Sequence, residues 1–407
     1  MRILFIAPYL PSLIRVRPFN IIRALARRGH HITLLALHPS GDDTSGLPNL
    51  RDWCQSVQTI PLPRWRPLWN GLRAMPTISV PFQAAYSRSP LMNQAIRRAL
   101  EQERYDVIHL EHLRGAELAH ALRADDPPLV FDAVDSISLL FERAKQGAPR
   151  WKSRLLAWLD LGRTRRYEGQ FTRRFSRVLV TSPEDCDALK TLAGASSPAQ
   201  IEKIDERLVV LPNGVDLDYF KPLDEPRQPD TVVFSGKMSY HANTAAALDL
   251  VQDVMPAVWA ERPHTLVWLA GKDPPEVIRA LGDDPRVDVT GTVPDLRPYL
   301  ARAAVAVTPL RYAVGIQNKV LEAMAMNTPV VTTPSTCRAL AAEPGTHLLV
   351  GDSAPSLAQA ILSLLADDDH SQRLGEAGRR YVETHHDWNR IAARLESVYT
   401  QAPLLKR

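Results

Sequence analysis

The stretch Arg2-Ile-Leu-Phe-Ile-Ala-Pro8 decides the fold of the first half of the chain. It is a brief apolar run that ends in turn residues, and such a run is typical of a buried parallel strand. Phe19–Arg28 then places apolar residues on one helical face, Gly29 ends that helix, and His31–Leu37 returns as a strand. This βαβ unit predicts a parallel sheet with right-handed crossovers.

The same alternation continues along the chain, whose 407 residues suffice for two domains. The further strand-like runs are Val107–Leu110, Leu129–Phe131, Arg177–Thr181, Leu208–Leu211, Thr231–Phe234, Thr265–Ala270, Val287–Thr290, Val305–Pro309 and Val330–Thr332. Lys221–Asp230 carries three prolines and five charged residues, which is typical of a linker. We therefore expect an α/β fold of two Rossmann-like domains whose parallel sheets face each other across a ligand cleft.

The composition is that of an ordinary globular protein, and its formal net charge of +4 suits anionic ligands, membranes or nucleic acid without choosing among them. The three cysteines are far apart, which favours neither a disulfide framework nor a zinc site and agrees with a reducing cytoplasm. The first residues lack the apolar core of a signal peptide, and no stretch approaches the roughly 18–20 apolar residues of a spanning helix. We expect a cytoplasmic protein, with contact to the inner face of the membrane left open.

Several catalytic motifs are absent from the sequence. It has no phosphate-binding P-loop, no Gly-x-Gly-x-x-Gly after the first strand and no Gly-x-Ser-x-Gly elbow. The pattern Asp216-Leu-Asp218 is better explained by turn capping, and His109-x-x-His112 lacks a third ligand. No module that interleaves aromatic and basic residues for nucleic acid is present. We therefore predict no metal, no cofactor and no nucleic-acid partner.

The stretch that is most informative about function is Pro309-Leu-Arg-Tyr-Ala-Val-Gly-Ile-Gln-Asn-Lys-Val-Leu-Glu-Ala-Met-Ala-Met-Asn-Thr-Pro-Val-Val-Thr-Thr333. After a strand, a loop with Gly315 leads to a helix that begins near Gln317. The backbone N–H groups, the helix dipole and Lys319 would favour a bound phosphate or diphosphate. Glu322, about one turn further on, could accept two hydroxyl hydrogen bonds, as a ribose offers. A plain strand–loop–helix with a surface salt bridge between Lys319 and Glu322 fits equally well.

This stretch resembles the signature of family 4 retaining glycosyltransferases, which have the GT-B fold, in its runs Glu322-Ala-Met-Ala and Pro329-Val-Val. Further similar segments are Leu211–Pro222, Val233–Lys237, Gly291–Pro298 and Trp388–Tyr399, so the resemblance spans nearly the whole chain. It implies an acceptor-binding domain at 1–221 and a nucleotide-sugar-binding domain at 222–387, with the helix at 388–407 packing back on the first domain. It also implies retention at the anomeric carbon without a metal ion.

The resemblance also implies functional residues. The donor-binding residues would be Gly236, Asn243, Gly271, Val293, Gly315, Ile316, Gln317, Asn318 and Glu322, and the catalytic residues Lys237, Lys319, Glu111 and His112. The two lysines would stabilise the departing nucleoside diphosphate, while the Glu-His pair would orient the sugar or assist the acceptor hydroxyl. Arg15 and Arg17 would bind an acceptor phosphate, as on a polyprenyl-linked sugar. The plainer alternatives are a solvated lysine for Lys237, a capped strand end for Glu111 and His112, and a solvated loop for the two arginines.

The sequence departs from the family at several positions. The family has a glutamate eight residues before Glu322, where this chain has Val314, and Asn243 stands where a second basic residue is usual. Pro11–Arg17 replaces a glycine-rich loop on the acceptor side. The arginine loop and Gly315–Lys319 together resemble a subgroup associated with exopolysaccharide and exosortase systems.

We therefore expect a transferase, of hexosyl type, that moves a sugar from a nucleotide sugar to a glycan or lipid-linked acceptor in surface polysaccharide or glycolipid synthesis. Two alternatives stay open: a degenerate protein that binds nucleotide or scaffolds a membrane complex without turnover, and a sugar-nucleotide epimerase. Trp151–Arg177 mixes tryptophans and leucines with many basic residues. This mixture suits either an interfacial helix on anionic lipid or an ordinary domain helix with solvated arginines.

Overall fold

The computed structural model describes residues 1–39, 41, 44–77, 79–147, 151–195, 197–311 and 315–404, with side chains described except at 144–147 and 151–159. The chain forms two units, Met1–Pro212 with Trp388–Arg407, and Asn213–Asp387. Residues 213–221, predicted in the first domain, belong to the second unit. The backbone N–H of Val215 donates to the carbonyl of His386 over 2.8 Å, and Val215 forms a β-bridge with Asp387.

The first unit is a seven-stranded, wholly parallel sheet in the order β3-β2-β1-β4-β5-β6-β7. The strands are β1 (Arg2–Ala7), β2 (His31–Pro39), β3 (Ser56–Leu62), β4 (Val107–Glu111), β5 (Leu129–Val134), β6 (Arg177–Val180) and β7 (Leu208–Val210). The helices are α1 (Val16–Arg27), α2 (Leu47–Trp53), α3 (Trp65–Ala74), α4 (Phe82–Tyr86), α5 (Pro90–Gln102), α6 (His112–Gly115), α7 (Ile137–Gly147), α8 (Trp151–Glu168), α9 (Phe171–Arg174), α10 (Pro183–Ala193) and α11 (Pro198–Arg207).

The second unit is a six-stranded parallel sheet in the order β10-β9-β8-β11-β12-β13. Its strands are β8 (Gln228–Ser235), β9 (Leu266–Ala270), β10 (Val287–Gly291), β11 (Ala303–Thr308), β12 (Val330–Thr332) and β13 (Leu349–Val350). The remaining helices are α12 (His241–Asp249), α13 (Met255–Glu261), α14 (Glu276–Arg279), α15 (Arg297–Arg302), α16 (Asn318–Ala325), α17 (Pro334–Leu340), α18 (Ala354–Ala366), α19 (Asp368–His385) and α20 (Trp388–Thr400). Helix α20 belongs to the first unit, although it follows the second in the sequence. The predicted linker is too long, because its last three residues begin β8.

The central strand β1 shows why each sheet is covered by helices. Leu4 and Ile6 are buried in a core cluster on one face, whereas Ile3 and Phe5 are buried in another cluster with residues of α1 and α20. Successive side chains of a strand point to opposite faces, so a run that is apolar throughout needs cover on both. Several of the residues considered next, among them Gly236, Gly271 and Glu111, lie at the carboxyl ends of β8, β9 and β4. Among the described residues, no helix combines the length and apolarity needed to cross a bilayer.

Candidate functional site

Two glycines bring the carboxyl ends of β8 and β9 into close contact. Gly236 follows β8 with φ 145° and Gly271 follows β9 with φ 147°, a region that favours glycine. A Cβ atom on Gly271 would overlap the carbonyl group of Gly236. A Cβ atom on Gly236 would lie 2.9 Å from Asn243 Nδ2 and 3.1 Å from Lys319 Nζ. The structure therefore brings these four predicted residues together.

Lys319 is held on this turn by Asn243. Its Nζ donates to Asn243 Oδ1 over 2.5 Å, and Asn243 Nδ2 donates to the carbonyl of Lys237 over 2.9 Å. The ammonium also lies 4.6 Å from the centre of the Phe234 ring. Desolvation lowers the pKa of Lys319 to about 7, against the opposing effect of the Glu322 charge. Burial therefore disfavours the charged form of Lys319, and a bound anion would stabilise that form.

Glu322 lies one turn along α16 from Lys319. Burial raises the pKa of Glu322 to about 7, while the charge of Lys319 acts in the lowering direction. Lys319 and Glu322, both described, form no ion pair with each other, and Lys319 Nζ instead donates to Asn243. The surface salt bridge considered above is therefore not formed. A carboxylate that is not held in a close ion pair can accept hydrogen bonds from the hydroxyl groups of a ligand.

The start of α16 offers backbone donors next to these side chains. Gly315 has φ 66°, Ile316 is 7% exposed, and Gln317 is the N-cap residue of the helix without a side-chain capping bond. The Oδ1 atom of Asn318 accepts from Asn213 Nδ2 over 3.4 Å. The first N–H groups of a helix have no partner within it, which suits an anion. Val314, where the family has a glutamate, lies outside the described residues.

The remaining predicted residues of this unit lie towards its surface. Lys237 is half exposed, and its Nζ lies 3.6 Å from Asp273 Oδ2, an ion pair too exposed to hold the lysine firmly. Val293 is half buried in the loop after β10, the edge strand of the sheet. The donor and catalytic assignments of these residues stay predictions.

In the first unit, Arg17 lies in the first turn of α1, and the expectation of a solvated arginine loop is wrong for it. Its side chain is 5% exposed. Its Nε donates to Asp132 Oδ2 over 2.8 Å and its Nη1 to the carbonyl of Pro212 over 3.2 Å. Desolvation opposes the charge, but Asp132 outweighs it and raises the pKa of Arg17. Arg17 therefore neutralises a buried carboxylate.

Glu111, the last residue of β4, belongs to the same group of buried side chains. Its Oε1 accepts from Tyr9 Oη over 3.3 Å, and its Oε2 lies 3.6 Å from His109 Nε2. Burial, followed by the charge of Asp132, raises the pKa of Glu111. The Nδ1 atom of His109 lies 2.8 Å from the hydroxyl of Tyr399 in α20. We call Arg17, His109, Glu111 and Asp132 the β4–β5 polar cluster.

The roles of His109 and Asp132 in this cluster were missed from the sequence. The signal was present, since both are polar residues within apolar strand patterns. Ligand atoms of His109, Glu111 and Asp132 lie within 4.8 Å of one another, a spacing that could suit a metal ion. The guanidinium of Arg17 already takes up one of these carboxylates, which weakens that possibility. The predicted absence of a metal stays a prediction.

His112 begins α6 with φ 62°, in the left-handed region that is uncommon for residues with a side chain. Burial, then the charges of Arg114 and Arg15, lower the pKa of His112 to about 3, so its ring is neutral at physiological pH. Its Nδ1 accepts from the backbone N–H of Arg114 over 3.2 Å. The guanidinium of half-buried Arg15 lies 3.9 Å from the centre of the Tyr9 ring, beside His112.

The predicted interfacial segment Trp151–Arg177 contains α8 and α9, and the side chains of 151–159 lie outside the described residues. Beyond them, Tyr167 and Phe171 are buried in the core. Arg165 pairs with Glu142 at 2.9 Å, and Arg174 lies 4.7 Å from the Tyr167 ring centre. From residue 160 onward, this segment therefore resembles an ordinary domain helix.

Comparison with known proteins agrees with this architecture. A family model described as Glycosyltransferase Family 4 matches residues 16–219, and one described as Glycosyl transferases group 1 matches residues 229–367. No curated protein sequence matches the chain.

Among solved structures, sucrose-phosphate synthase from Thermosynechococcus elongatus is similar with a TM-score of 0.67 and 20% identity over 98% of both chains. Anabaena HepE in complex with UDP has a TM-score of 0.68 and 16% identity over 98% of this chain and 100% of its own. WaaG, a glycosyltransferase involved in lipopolysaccharide biosynthesis, has a TM-score of 0.62 and 17% identity over 98% and 100%. The predicted GT-B fold is confirmed.

Proposed function

Because the chain belongs to glycosyltransferase family 4, we propose that it transfers a hexose from a nucleotide sugar to a glycan or lipid-linked acceptor. The observation that carries the proposal is the arrangement in which Gly236, Gly271 and Asn243 hold the Lys319 ammonium beside the start of α16. The solved structures of HepE with UDP and with UDP-glucose support a donor of the nucleotide-sugar class.

In this proposal the donor diphosphate lies over the two glycines, where no Cβ atom blocks its approach. Lys319 and the first N–H groups of α16 bind its oxygens, and Glu322 accepts from the ribose hydroxyls. Negative charge develops on the diphosphate as the sugar leaves, and fixed positive groups lower the energy of that transition state. Lys237, at the rim of the turn, adds a mobile charge. Two lysines and helix amides can supply this stabilisation without a metal ion.

The first unit would provide the acceptor groups. Neutral His112 can orient an acceptor hydroxyl, while Glu111, which is 0% exposed, would act through the groups around it. Arg15 is better placed than Arg17 to contact an acceptor phosphate, because Arg17 is committed to Asp132. We propose retention at the anomeric carbon, as in the family, with the diphosphate taking the acceptor proton. We also propose a role in surface polysaccharide or glycolipid synthesis, in the cytoplasm at the inner face of the membrane.

A thermal-shift screen against UDP-, GDP-, ADP-, CMP- and dTDP-sugars, each with Mg²⁺ and with EDTA, tests the donor site. One nucleotide class is expected to raise Tm equally in both conditions, and Glu322→Ala is expected to reduce the shift, because it removes the proposed ribose contact. Glu276→Ala, at an exposed glutamate of α14, is the matched control. Stabilisation that requires Mg²⁺ would refute metal-independent binding, and an unchanged shift in Glu322→Ala would remove this donor assignment.

Donor binding is expected to weaken as the pH rises above 7, because Lys319, with a pKa of about 7, loses its proton. The bound diphosphate favours the charged lysine, so the affinity should fall by about tenfold per pH unit until the pKa of the complex is reached. Calorimetric titration with the nucleotide sugar from pH 6 to 9 measures this slope. Lys319→Arg keeps its charge throughout, so this fall should disappear, and any pH dependence that remains would report Glu322, whose pKa is also about 7. An equal slope in both proteins would assign the pH dependence to another group.

Turnover assays separate the remaining functions. Release of nucleoside diphosphate that depends on added acceptor supports the transferase. Interconversion of the free nucleotide sugar would identify the epimerase, and binding without either reaction would identify the degenerate protein.

A further inference from the structure

Helix α3 buries Asn70 and Ala74 and exposes its large apolar residues. Asn70 and Ala74 are 4% and 0% exposed, and Asn70 Nδ2 donates to the carbonyls of Tyr86 and Arg88 over 3.1 and 2.9 Å. The outward residues are Trp65, Leu68, Trp69, Leu72 and, just after the helix, Met75, which are 59, 73, 48, 56 and 58% exposed. Their spacing of three and four residues forms one continuous row, which we call the α3 apolar stripe.

The rest of the first unit holds this helix in place. Arg163 of α8 donates to the carbonyls of Ala74 and Met75 over 3.3 and 2.9 Å, which satisfies carbonyl groups at the end of α3. Together with the bonds of Asn70, these contacts fix which face of the helix points outward. The exposure of the stripe therefore belongs to the folded unit, and a row of large apolar side chains in water indicates a binding surface.

The charges around the stripe identify the kind of surface it fits. Between Asp52 and Glu101 the chain has no acidic residue. The six arginines in this interval are Arg64, Arg66, Arg73, Arg88, Arg97 and Arg98. The guanidinium groups of Arg66 and Arg73 lie 5.6 and 5.4 Å from the centres of the Trp65 and Trp69 rings. Tryptophan and leucine flanked by arginine is the composition of a helix that lies in the interface of an anionic bilayer.

We propose that the α3 apolar stripe docks on the surface of an anionic phospholipid bilayer. Trp65, Leu68, Trp69 and Leu72 enter the boundary between headgroups and acyl chains, and Arg64, Arg66 and Arg73 contact lipid phosphates. A second copy of the chain fits less well, because a symmetric pair would bring these arginines against one another. The surface belongs to the first unit and does not depend on the donor site proposed in the second.

Sedimentation of the full chain with vesicles tests the proposal. The protein is expected to bind vesicles of mixed phosphatidylglycerol and phosphatidylcholine, and more weakly those of phosphatidylcholine alone. Trp65→Ser with Trp69→Ser should lower the partition coefficient by about 10- to 100-fold, because two aromatic anchors are lost. Arg64→Gln with Arg73→Gln should remove most of the preference for the anionic lipid and its dependence on salt. Ile201→Ser with Val277→Ser replaces apolar residues of similar exposure, 51 and 49%, on α11 and α14 and should change nothing.

The donor-induced rise in Tm, measured on each variant, shows that the second unit is intact and separates this proposal from that of sugar transfer. Circular dichroism checks that the chain of each variant keeps its secondary structure. Equal vesicle binding by the tryptophan variant and the unsubstituted protein would overturn the proposal, as would a lack of binding by both. If light scattering shows a dimer that the tryptophan substitutions convert to a monomer, the stripe is instead a contact between two copies.

Discussion

Replacing Lys319 by alanine is expected to lower kcat/KM for sugar transfer by about 100- to 1000-fold, the usual effect of removing one group that stabilises transition-state charge. The free protein should unfold at an equal or higher temperature, because desolvation holds the pKa of this lysine at about 7 and its burial opposes folding. Activity and stability should therefore move in opposite directions, as they do at residues retained for function. Steady-state kinetics and thermal melting of the same preparation measure both.

Two comparisons sharpen this experiment. Lys203→Ala, at an exposed lysine of α11, should change neither quantity. Asn243→Ala removes the bond that positions Lys319, so its effect and that of Lys319→Ala should be far from additive. If Lys319→Ala instead lowers Tm and activity together, the lysine has a structural role only. If the effect of Asn243→Ala adds in full to that of Lys319→Ala, Asn243 does not act by positioning the lysine.

Arg17→Ala should reduce the free energy of unfolding of the first unit by about 3–5 kcal/mol at neutral pH, the usual cost of breaking a buried ion pair. It leaves Asp132 and Glu111 buried together, and the pKa of Glu111, already raised by burial, should rise further without the guanidinium. A raised carboxyl pKa makes the folded state lose stability as the pH increases. The loss should thus be largest at neutral pH and shrink on acidification. Urea denaturation between pH 4 and 8 measures it.

Arg27→Ala, at an exposed arginine of the same helix, should cost less than about 0.5 kcal/mol. Arg17→Ala with Asp132→Asn should recover much of the lost stability, because no unpaired charge at residue 132 then remains buried. A loss in Arg17→Ala that is independent of pH would show that packing, and not charge, accounts for the effect.

The fold could be predicted because strand and helix patterns are local. Apolar runs such as Arg2–Ala7 and Val330–Thr332 indicated two parallel sheets, whereas the strands β3 and β13 were not predicted. The domain boundary was harder to predict from the sequence. Residues 213–221 belong to the second unit, and Val215 within them contacts residues 386 and 387, which are far away in the sequence.

The functional residues likewise divide into those that a local sequence pattern indicated and those that only the folded chain brings together. Gly236 and Lys319 each stood in a recognisable segment, whereas the bond from Lys319 to Asn243 joins residues from different segments and is absent from any local pattern. Arg17 was predicted to bind an acceptor phosphate because a guanidinium group suits phosphate, and a solvated loop was the alternative. Its partner Asp132 lies on another strand, and only the folded sheet brings the two together.

The position of α20 affects how the protein is made. This last helix buries Trp388, Ile391 and Leu395 in the core around Phe5, and Tyr399 reaches His109 in the first unit. A ribosome releases the strands of that unit long before it has synthesised α20. The first unit therefore completes its core only after the second unit has been synthesised, and until then the apolar residues that α20 covers lack their cover.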